Sequence, residues 1–159
     1  AGLEWSVEWT DAVPEEWNGV DRPETANLEM HTVDALGISP YEGTQYAELD
    51  TDWDGPGGSL NGEPANVRIG QEFETCPGER YALRYAWRPR PGDECEVEVW
   101  QDNVKVATHS DEDSSGGWNF EEIQFTADSY YTSLEFVGTG IPDGHGMFID
   151  AVEVDPLDS

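Results

Sequence analysis

Carboxylates alternate along Asp50-Thr-Asp52-Trp-Asp54-Gly55, the sharpest chemical pattern in the sequence. Alternating acids followed by glycine let a tightly turning loop aim several oxygens at one Ca²⁺ ion, which prefers hard oxygen ligands. The twelfth position of the pattern is Asn61, where a helix–loop–helix calcium loop has a bidentate glutamate, so the match is incomplete. The alternative is a solvated acidic loop, because acidic residues are common throughout the chain. The sequence predicts a calcium site within a long glycine-rich loop.

A second candidate metal ligand is Asp150, in the segment from Phe148 to Val154 near the end of the chain. Its strand parity matches Phe148, Val152 and Val154, so we expect it on the core face. A buried carboxylate must be paired or must coordinate a metal. An arginine partner is the alternative to a metal at this position.

A glycine-rich loop from Gly138 to Gly146 precedes that last segment, and within it Asp143 and His145 could line a ligand site. Asp143 is also a candidate calcium ligand. A lone histidine in such a loop is more often a bystander than a ligand. No helical pattern follows the loop, so it does not indicate a phosphate-binding site.

Arginine is concentrated in one short span. Four of the seven basic residues lie there: Arg80, Arg84, Arg88 and Arg90. For Arg84, we favour cross-strand pairing with Glu96 and Glu98. The alternative is a fork that binds carboxylates or sugar hydroxyls, and for Arg90, in the turn, both interpretations stay open.

The elements that must position these residues are strands, according to the composition and the periodicity. Helix signals are scarce, glycine and proline are spread along the chain, and apolar and polar residues alternate in short runs every 8 to 12 residues, as in a β-sandwich. The predicted strands are 69–73, 81–88, 95–99, 123–125, 134–136 and 148–154. Strands 81–88 and 95–99 flank a turn with prolines, which predicts a hairpin.

The two cysteines bear on that hairpin. Cys76 and Cys95 would lie at opposite ends of a nine-residue strand, roughly 30 Å apart at 3.3 Å per residue. A disulfide needs Cα atoms within about 7 Å, so we expect free thiols. Cys95 shares a face with Val97 and Val99 and is predicted to be a small core residue.

The net charge excludes some partners. The 159 residues include 35 acidic and 7 basic residues, a formal charge of −28. Such a chain cannot neutralise nucleic-acid phosphates or bind an anionic membrane surface, and it has no apolar run of about 18 residues for membrane insertion. The acidity itself fits high salt, calcium binding or simple solubility. Because the chain begins without methionine, we expect a mature fragment or a domain of a larger protein.

Several segments, in order, resemble a known family. The strongest is Tyr41-Glu-Gly43-Thr-Gln45-Tyr-Ala-Glu48-Leu49-Asp50, which resembles the "dGnqyvELDs" segment of calcium-dependent galactose-binding-like jelly rolls in bacterial surface proteins. The Arg90-Pro91-Gly92 turn is similar to their "aRPG" turn. The segment from Leu134 through Val152 resembles their "LeF...Gtsd.lGgyIDnV" ending.

The resemblance implies an all-β jelly-roll β-sandwich of two antiparallel sheets that binds Ca²⁺ and an extracellular ligand. It places metal ligands at Asp150 and at backbone oxygens near Gly43–Gln45. It places ligand-binding loops at Asp50 and from Asp143 through Gly144 and His145 to Gly146. Glu48, in the family's "ELD" motif, is included with the ligand-binding residues.

These expectations combine into one hypothesis. Residues 1–155 form a single, monomeric, non-catalytic module of a secreted or cell-surface adhesin-type protein, and residues 156–159 form a tail. The module binds a glycan, with Trp53 or Trp87 offering a stacking face. The alternatives are a module that binds peptide ends, a calcium-rigidified spacer without a ligand, and a salt-adapted enzyme domain with two carboxylates in a cleft.

Overall fold

The computed structural model describes residues 5–10, 26–55, 59–143 and 145–157, and within these ranges the side chains of all but 53–55 and 59–63. The described chain is almost entirely β-structure. Its one α-helix, Val33–Leu36, has four residues and ends at Gly37 in the left-handed conformation, with a φ of 68°. None of the helical segments described is long and apolar enough to cross a membrane.

The first of two antiparallel sheets has the order β1-β5-β10-β7-β8, and β4 also pairs with β5. Its strands are β1 (Ser6–Trp9), β4 (Asp50–Gly55), β5 (Ser59–Glu74), β7 (Glu96–Gln101), β8 (Val104–Ser110) and β10 (Tyr131–Gly138). β1 lies at one edge of this order, and the short β7–β8 turn at Asp102 and Asn103 has positive φ at both residues.

The second sheet has the order β2-β3-β11-β6-β9. Its strands are β2 (Glu29–His31), β3 (Tyr46–Glu48), β6 (Arg80–Pro89), β9 (Asn119–Thr126) and β11 (Met147–Pro156). The two sheets pack face to face as a jelly-roll β-sandwich, which confirms the fold class predicted from the sequence.

The core lies between the sheets and follows the alternation seen in the sequence. In β10, for example, every second residue from Thr132 to Gly138 is buried, because alternate side chains of a strand point to opposite faces. The interior side chains come from both sheets and include Leu83, Tyr85, Trp87, Val97, Val99, Phe136 and Ile149. All six strands predicted from the alternation are present.

The predicted pairing of two of these strands is wrong. β6 and β7 flank the turn at Arg90–Asp93 but belong to different sheets, so the chain crosses the sandwich there. Arg84 consequently pairs across β6 and β9 with Glu122, Nε to Oε2 at 2.8 Å, and not with Glu96 or Glu98. Both cysteines are free, as expected, and Cys95 is a buried core residue.

The predicted loop over residues 50–66 is also wrong, because this segment contains β4 and the start of β5, paired in antiparallel register. Asp50 and Asp52 therefore lie on an extended strand. At about 3.3 Å per residue, alternate residues there are separated by roughly twice that rise, so the carboxylates do not converge as in a turning calcium loop. The side chains of Trp53 and Asp54 lie outside the described residues.

A β-bulge changes the expected face of Asp150. The register of β11 with β6 shifts between Asp150 and Glu153, and Ala151 has a φ of 51°. Met147 and Ile149 point into the core before the bulge, and Val152 and Val154 do so after it. Asp150 therefore lies on the outer face of the second sheet, so its predicted core-face position is wrong.

Candidate ligand-binding site

Strand register gathers polar residues on the outer face of the second sheet. Glu48 lies directly opposite Glu29 of β2 and Phe148 of β11, and Phe148 lies opposite Arg88 of β6. Directly opposed residues of an antiparallel pair point to the same face. Because Ile149, the neighbour of Phe148, points into the core, this row of side chains points away from it.

Glu48 is the fully buried carboxylate of this row, with 0% of its surface exposed. Arg90 donates from Nη1 to both of its carboxylate oxygens, at 2.9 and 3.2 Å. The backbone N–H of Gly146 also donates to this carboxylate. Burial nevertheless outweighs these contacts and raises the pKa of Glu48 to about 8. The single arginine therefore compensates the buried charge only in part.

His31 and Glu29 complete a cluster with Glu48. The Nε2 atom of His31 lies 3.3 Å from Oε1 of Glu29 and 3.5 Å from Oε1 of Glu48. Burial, followed by the charge of Arg90, lowers the pKa of His31. Burial, followed by the charge of Asp52, raises the pKa of Glu29. Two carboxyl groups, those of Glu29 and Glu48, thus lie close together where burial limits their contact with water.

The loop before β11 closes over this end of the sheet. The backbone N–H of Asp143 donates to Oδ2 of Asp50 at 3.1 Å, and Asp50 is fully buried. A Cβ atom on Gly146 would lie 2.8 Å from the Cβ of Asp50, so only glycine fits this approach. His145 lies beside Asp93 of the β6–β7 turn, Nδ1 to Oδ2 at 3.0 Å.

Asp150 lies a short distance along the same outer face and contacts the 41–45 loop, where the family resemblance implied further metal ligands. Its Oδ2 accepts the backbone N–H of Glu42 at 3.0 Å, and its Oδ1 accepts that of Ala151 at 2.7 Å. Gly43 and Gln45 follow in an exposed stretch of this loop. A carboxylate with both oxygens held in this way is fixed in orientation but keeps further lone pairs for a cation.

An aromatic group also lies on this outer face, beside the polar cluster. The rings of Tyr41 and Phe120 are stacked with centroids 6.0 Å apart, and Trp118 contacts Tyr41 edge-on at 6.3 Å. Tyr41 is 46% exposed and Phe120 is 51% exposed, so their rings are accessible. The sequence analysis predicted a ligand-stacking role for neither residue.

Trp87 cannot be the stacking face that the sequence predicted. It is 5% exposed and its ring is stacked inside the sandwich on His109, with centroids 4.4 Å apart and planes 13° apart. Its position on the interior face of β6 follows from the period-2 alternation with Leu83 and Tyr85. Gly144 lies outside the described residues, as does the side chain of Trp53.

The structure brings together most of the predicted ligand-binding residues. Three segments distant in the chain meet at this end of the second sheet, where they bring together Glu48, Asp50, Arg90 and Gly146. Asp143 and His145 join them through the loop, whereas Asp52 is exposed near Glu29. Sequence reasoning missed Glu29 and His31, which lie on a three-residue strand. Their only sequence signal for a strand is the polar–apolar–polar alternation Glu-Met-His, which is too short to assign a strand by itself.

The sequence matches no protein-family profile and no curated protein sequence. Its fold is similar to that of a family 61 carbohydrate-binding module, TmCBM61, solved with β-1,4-galactotriose, with a TM-score of 0.56 and 11% identity over 96% of this chain and 88% of that one. It is also similar to part of tailspike protein 4 of bacteriophage CBA120, with a TM-score of 0.52 and 14% identity over 98% of this chain and 19% of that one. A third neighbour is a family GH115 4-O-methyl-α-glucuronidase, with a TM-score of 0.50 and 12% identity over 84% of this chain and 16% of that one. At these identities the likeness shows a shared jelly-roll fold.

Proposed function

We propose that the chain is a non-catalytic carbohydrate-binding module, residues 1–155, of a secreted or cell-surface adhesin-type protein. The observation that carries this proposal is the convergence of Glu48, Arg90 and the Asp143–Gly146 loop at one end of the second sheet. Glu48 is buried and orients Arg90, whose remaining guanidinium N–H groups can donate to sugar hydroxyls. The more accessible carboxylates of Asp93 and Asp143 can accept from sugar hydroxyls. The fold shared with a module solved with galactotriose supports the same ligand class.

Neighbouring aromatic rings support a sugar ligand as well. Tyr41 and Phe120 present accessible rings on the same outer face as the polar cluster. Apolar faces of sugar rings pack on aromatic side chains, and a small number of polar groups then fix the orientation. This pair takes the role that the sequence analysis gave to Trp87.

The charges favour a neutral glycan over the end of a peptide. A free peptide carboxylate would need an arginine whose positive charge is available, but the charge of Arg90 already faces the carboxylate of Glu48. Asp93, Asp143 and the Glu29–Glu48 pair surround the site with negative charge. A second carboxylate entering there would be repelled.

The same geometry supports a non-catalytic role. Glycoside hydrolysis uses two carboxyl groups, one of them a protonated acid that reaches the glycosidic oxygen. Glu29 and Glu48 lie close together and the pKa of Glu48 is raised. However, Glu48 has no exposed surface and is held by Arg90, so it cannot contact a substrate.

Calcium belongs to this proposal as a structural ion at Asp150 or Asp50. The carboxylate of Asp150 contacts the 41–45 loop and that of Asp50 contacts the 139–143 loop, each through a backbone N–H. Both carboxylates retain lone pairs for a hard cation. When bound, Ca²⁺ would add positive charge that fixes these two loops against the sheet.

Calorimetric titration with neutral oligosaccharides, including β-1,4-galactotriose, tests the proposal in buffers with CaCl₂ or with chelator. We expect binding in CaCl₂ and a loss of roughly tenfold or more for Arg90→Ala. This variant removes a charged donor to a sugar hydroxyl, and a hydrogen bond that involves a charged group is worth about 1.5–3 kcal/mol. Arg84→Ala is the matched control, since Arg84 lies within β6, six residues before Arg90, and pairs with Glu122.

Three results would contradict the proposal. Binding of peptides and no sugar would favour the peptide-end alternative, and binding of neither ligand class would favour a spacer. An equal loss of sugar affinity in Arg84→Ala and Arg90→Ala would place the sugar elsewhere on the surface.

A further inference from the structure

Three potential metal ligands converge on the outer face of β2 and β3. They are the side chains of Glu29, His31 and Glu48, and one ligand atom from each lies within 4.8 Å of the others. Strand geometry explains the convergence. Glu29 and His31 alternate on one face of β2, and Glu48 is the direct cross-strand partner of Glu29.

The imidazole of His31 has the orientation of a ligand without its cation. Its side chain is 8% exposed, and its Nε2 atom makes no hydrogen bond with any described residue. That atom nevertheless faces carboxylate oxygens of Glu29 and Glu48 at 3.3 and 3.5 Å. A buried polar atom without a hydrogen bond is costly, and a metal ion would satisfy it.

The spacing between the ligand atoms fits a small cation. Nitrogen and oxygen ligands lie about 2.0–2.2 Å from Zn²⁺ in a tetrahedral site, which separates any two of them by roughly 3.3–3.6 Å. The two measured separations from His31 Nε2 fall in this range. Backbone register, which holds Glu29 opposite Glu48, keeps the ligands near these positions.

The local charge also favours a cation. Two carboxylates, with Asp52 acting on Glu29 from β4, face the positive charge of Arg90. Arg90 contacts Glu48 at the same Oε1 atom that faces His31. It would therefore orient this carboxylate as a hydrogen-bonded partner orients many metal ligands.

We propose that Glu29, His31 and Glu48 bind one divalent transition-metal ion, with Zn²⁺ as the representative. A histidine nitrogen together with carboxylate oxygens suits this class of ion. Calcium is a poor fit because it takes oxygen ligands almost exclusively. The site is distinct from the calcium positions at Asp50 and Asp150, and it does not depend on the sugar-binding proposal.

Calorimetric titration of the chelator-treated, dialysed chain with ZnCl₂, in excess CaCl₂, tests this site. We expect one Zn²⁺ to bind, and His31→Gln to weaken it by about 100-fold or more, since losing even an outer partner of a ligand costs 10–100-fold. His145→Ala is the matched control, because His145 belongs to the separate Asp93–Asp143–His145 group, and it should bind Zn²⁺ as the wild type does.

A spectroscopic measurement identifies the ligand atom directly. Electron paramagnetic resonance with Cu²⁺ at one equivalent should show coupling to one imidazole nitrogen in the wild type and in His145→Ala. In Glu29→Gln less Cu²⁺ should bind beside His31, so the signal from the coupled nitrogen should become weak or vanish. In His31→Gln the coupling should be absent. The Glu29 side chain is 36% exposed, so Glu29→Gln should fold normally. It therefore tests the site even if His31→Gln fails to fold.

Two results would overturn the site. One is the absence of Zn²⁺ binding to the wild type. The other is loss of binding in His145→Ala with retention in Glu29→Gln, which would place the ion in the Asp93–Asp143–His145 group. Neither result bears on sugar affinity, which is measured without Zn²⁺.

Discussion

Two buried histidines lie on opposite sides of the second sheet, and each is 6% exposed. His109, between the sheets, shares a 2.6 Å hydrogen bond with the hydroxyl of Tyr85 and is stacked on Trp87. His31, on the outer face, has Nε2 directed at two carboxylates without a hydrogen bond. Two equally buried histidines therefore have different roles. His109 is hydrogen-bonded within the core, whereas His31 is proposed to bind a metal ion.

The largest effect on stability should come from the interior cluster. His109→Ala removes a stacked ring from the core and leaves the Tyr85 hydroxyl without its partner, so we expect a loss of about 4 kcal/mol in the free energy of unfolding. Chemical denaturation measures it. A loss below that of His31→Ala in chelator would contradict the assignment of His109 as the satisfied core histidine.

The next largest effect should come from the buried ion pair of the outer face. Arg90→Ala leaves the fully buried Glu48 without its guanidinium partner, and we expect a cost of about 3 kcal/mol. Arg84→Ala breaks a more exposed pair with Glu122 and should cost less than about 1 kcal/mol. Equal costs in thermal or urea denaturation would mean that Glu48 is solvated in the protein.

The pH dependence of stability should report on the buried His109. Burial lowers the pKa of His109 below its ordinary value of 6.5, against the opposing charge of Asp113. The unfolded chain then binds a proton before the folded chain does, so stability is present above pH 6.5 and falls as the pH drops below it. His109→Gln should flatten this part of the profile relative to wild type, measured as melting temperature from pH 7.5 to 5. An unchanged slope would show that His109 is not responsible.

Among the two histidines and Arg90, the smallest effect on stability should come from His31. Its Nε2 atom makes no hydrogen bond that could be lost, but its ring packs against Tyr46 and Phe148. We therefore expect His31→Gln in chelator to lower the free energy of unfolding by about 1–2 kcal/mol, less than His109→Ala or Arg90→Ala. In Zn²⁺, by contrast, the wild type should gain stability that the variant does not, since a ligand that binds only the folded state stabilises it. Equal gains in both proteins would contradict the role of His31.

The comparison also shows which parts of the molecule were accessible from the sequence. Alternation along β6, β7 and β10 gave the interior residues correctly, because the period of a strand fixes its faces. The alternation could not show which strands pair with one another. A turn between β6 and β7 looks the same in a sequence whether the chain returns in one sheet or crosses to the other.

Local departures from regular geometry account for the other misses. A bulge of one residue at Ala151 reversed the face of Asp150, since a shift of one position turns a side chain to the other side. Glu29 and His31 lie on a strand too short to show a period. Their role depends on Glu48, which is distant in sequence and adjacent only through pairing.

Sugar binding at the end of the second sheet around Glu48 and Arg90 underlies the proposed function. It is tested most directly by amide chemical-shift mapping of the ¹⁵N-labelled chain, in CaCl₂, during titration with β-1,4-galactotriose and other neutral oligosaccharides. We expect the largest saturable shifts at Arg90, Gly92, Asp93 and Glu48 and in the 143–146 loop. The absence of shifts with every oligosaccharide would contradict the proposed function. So would shifts centred on a distant exposed patch such as Tyr130 and Tyr131, which are 72% and 54% exposed.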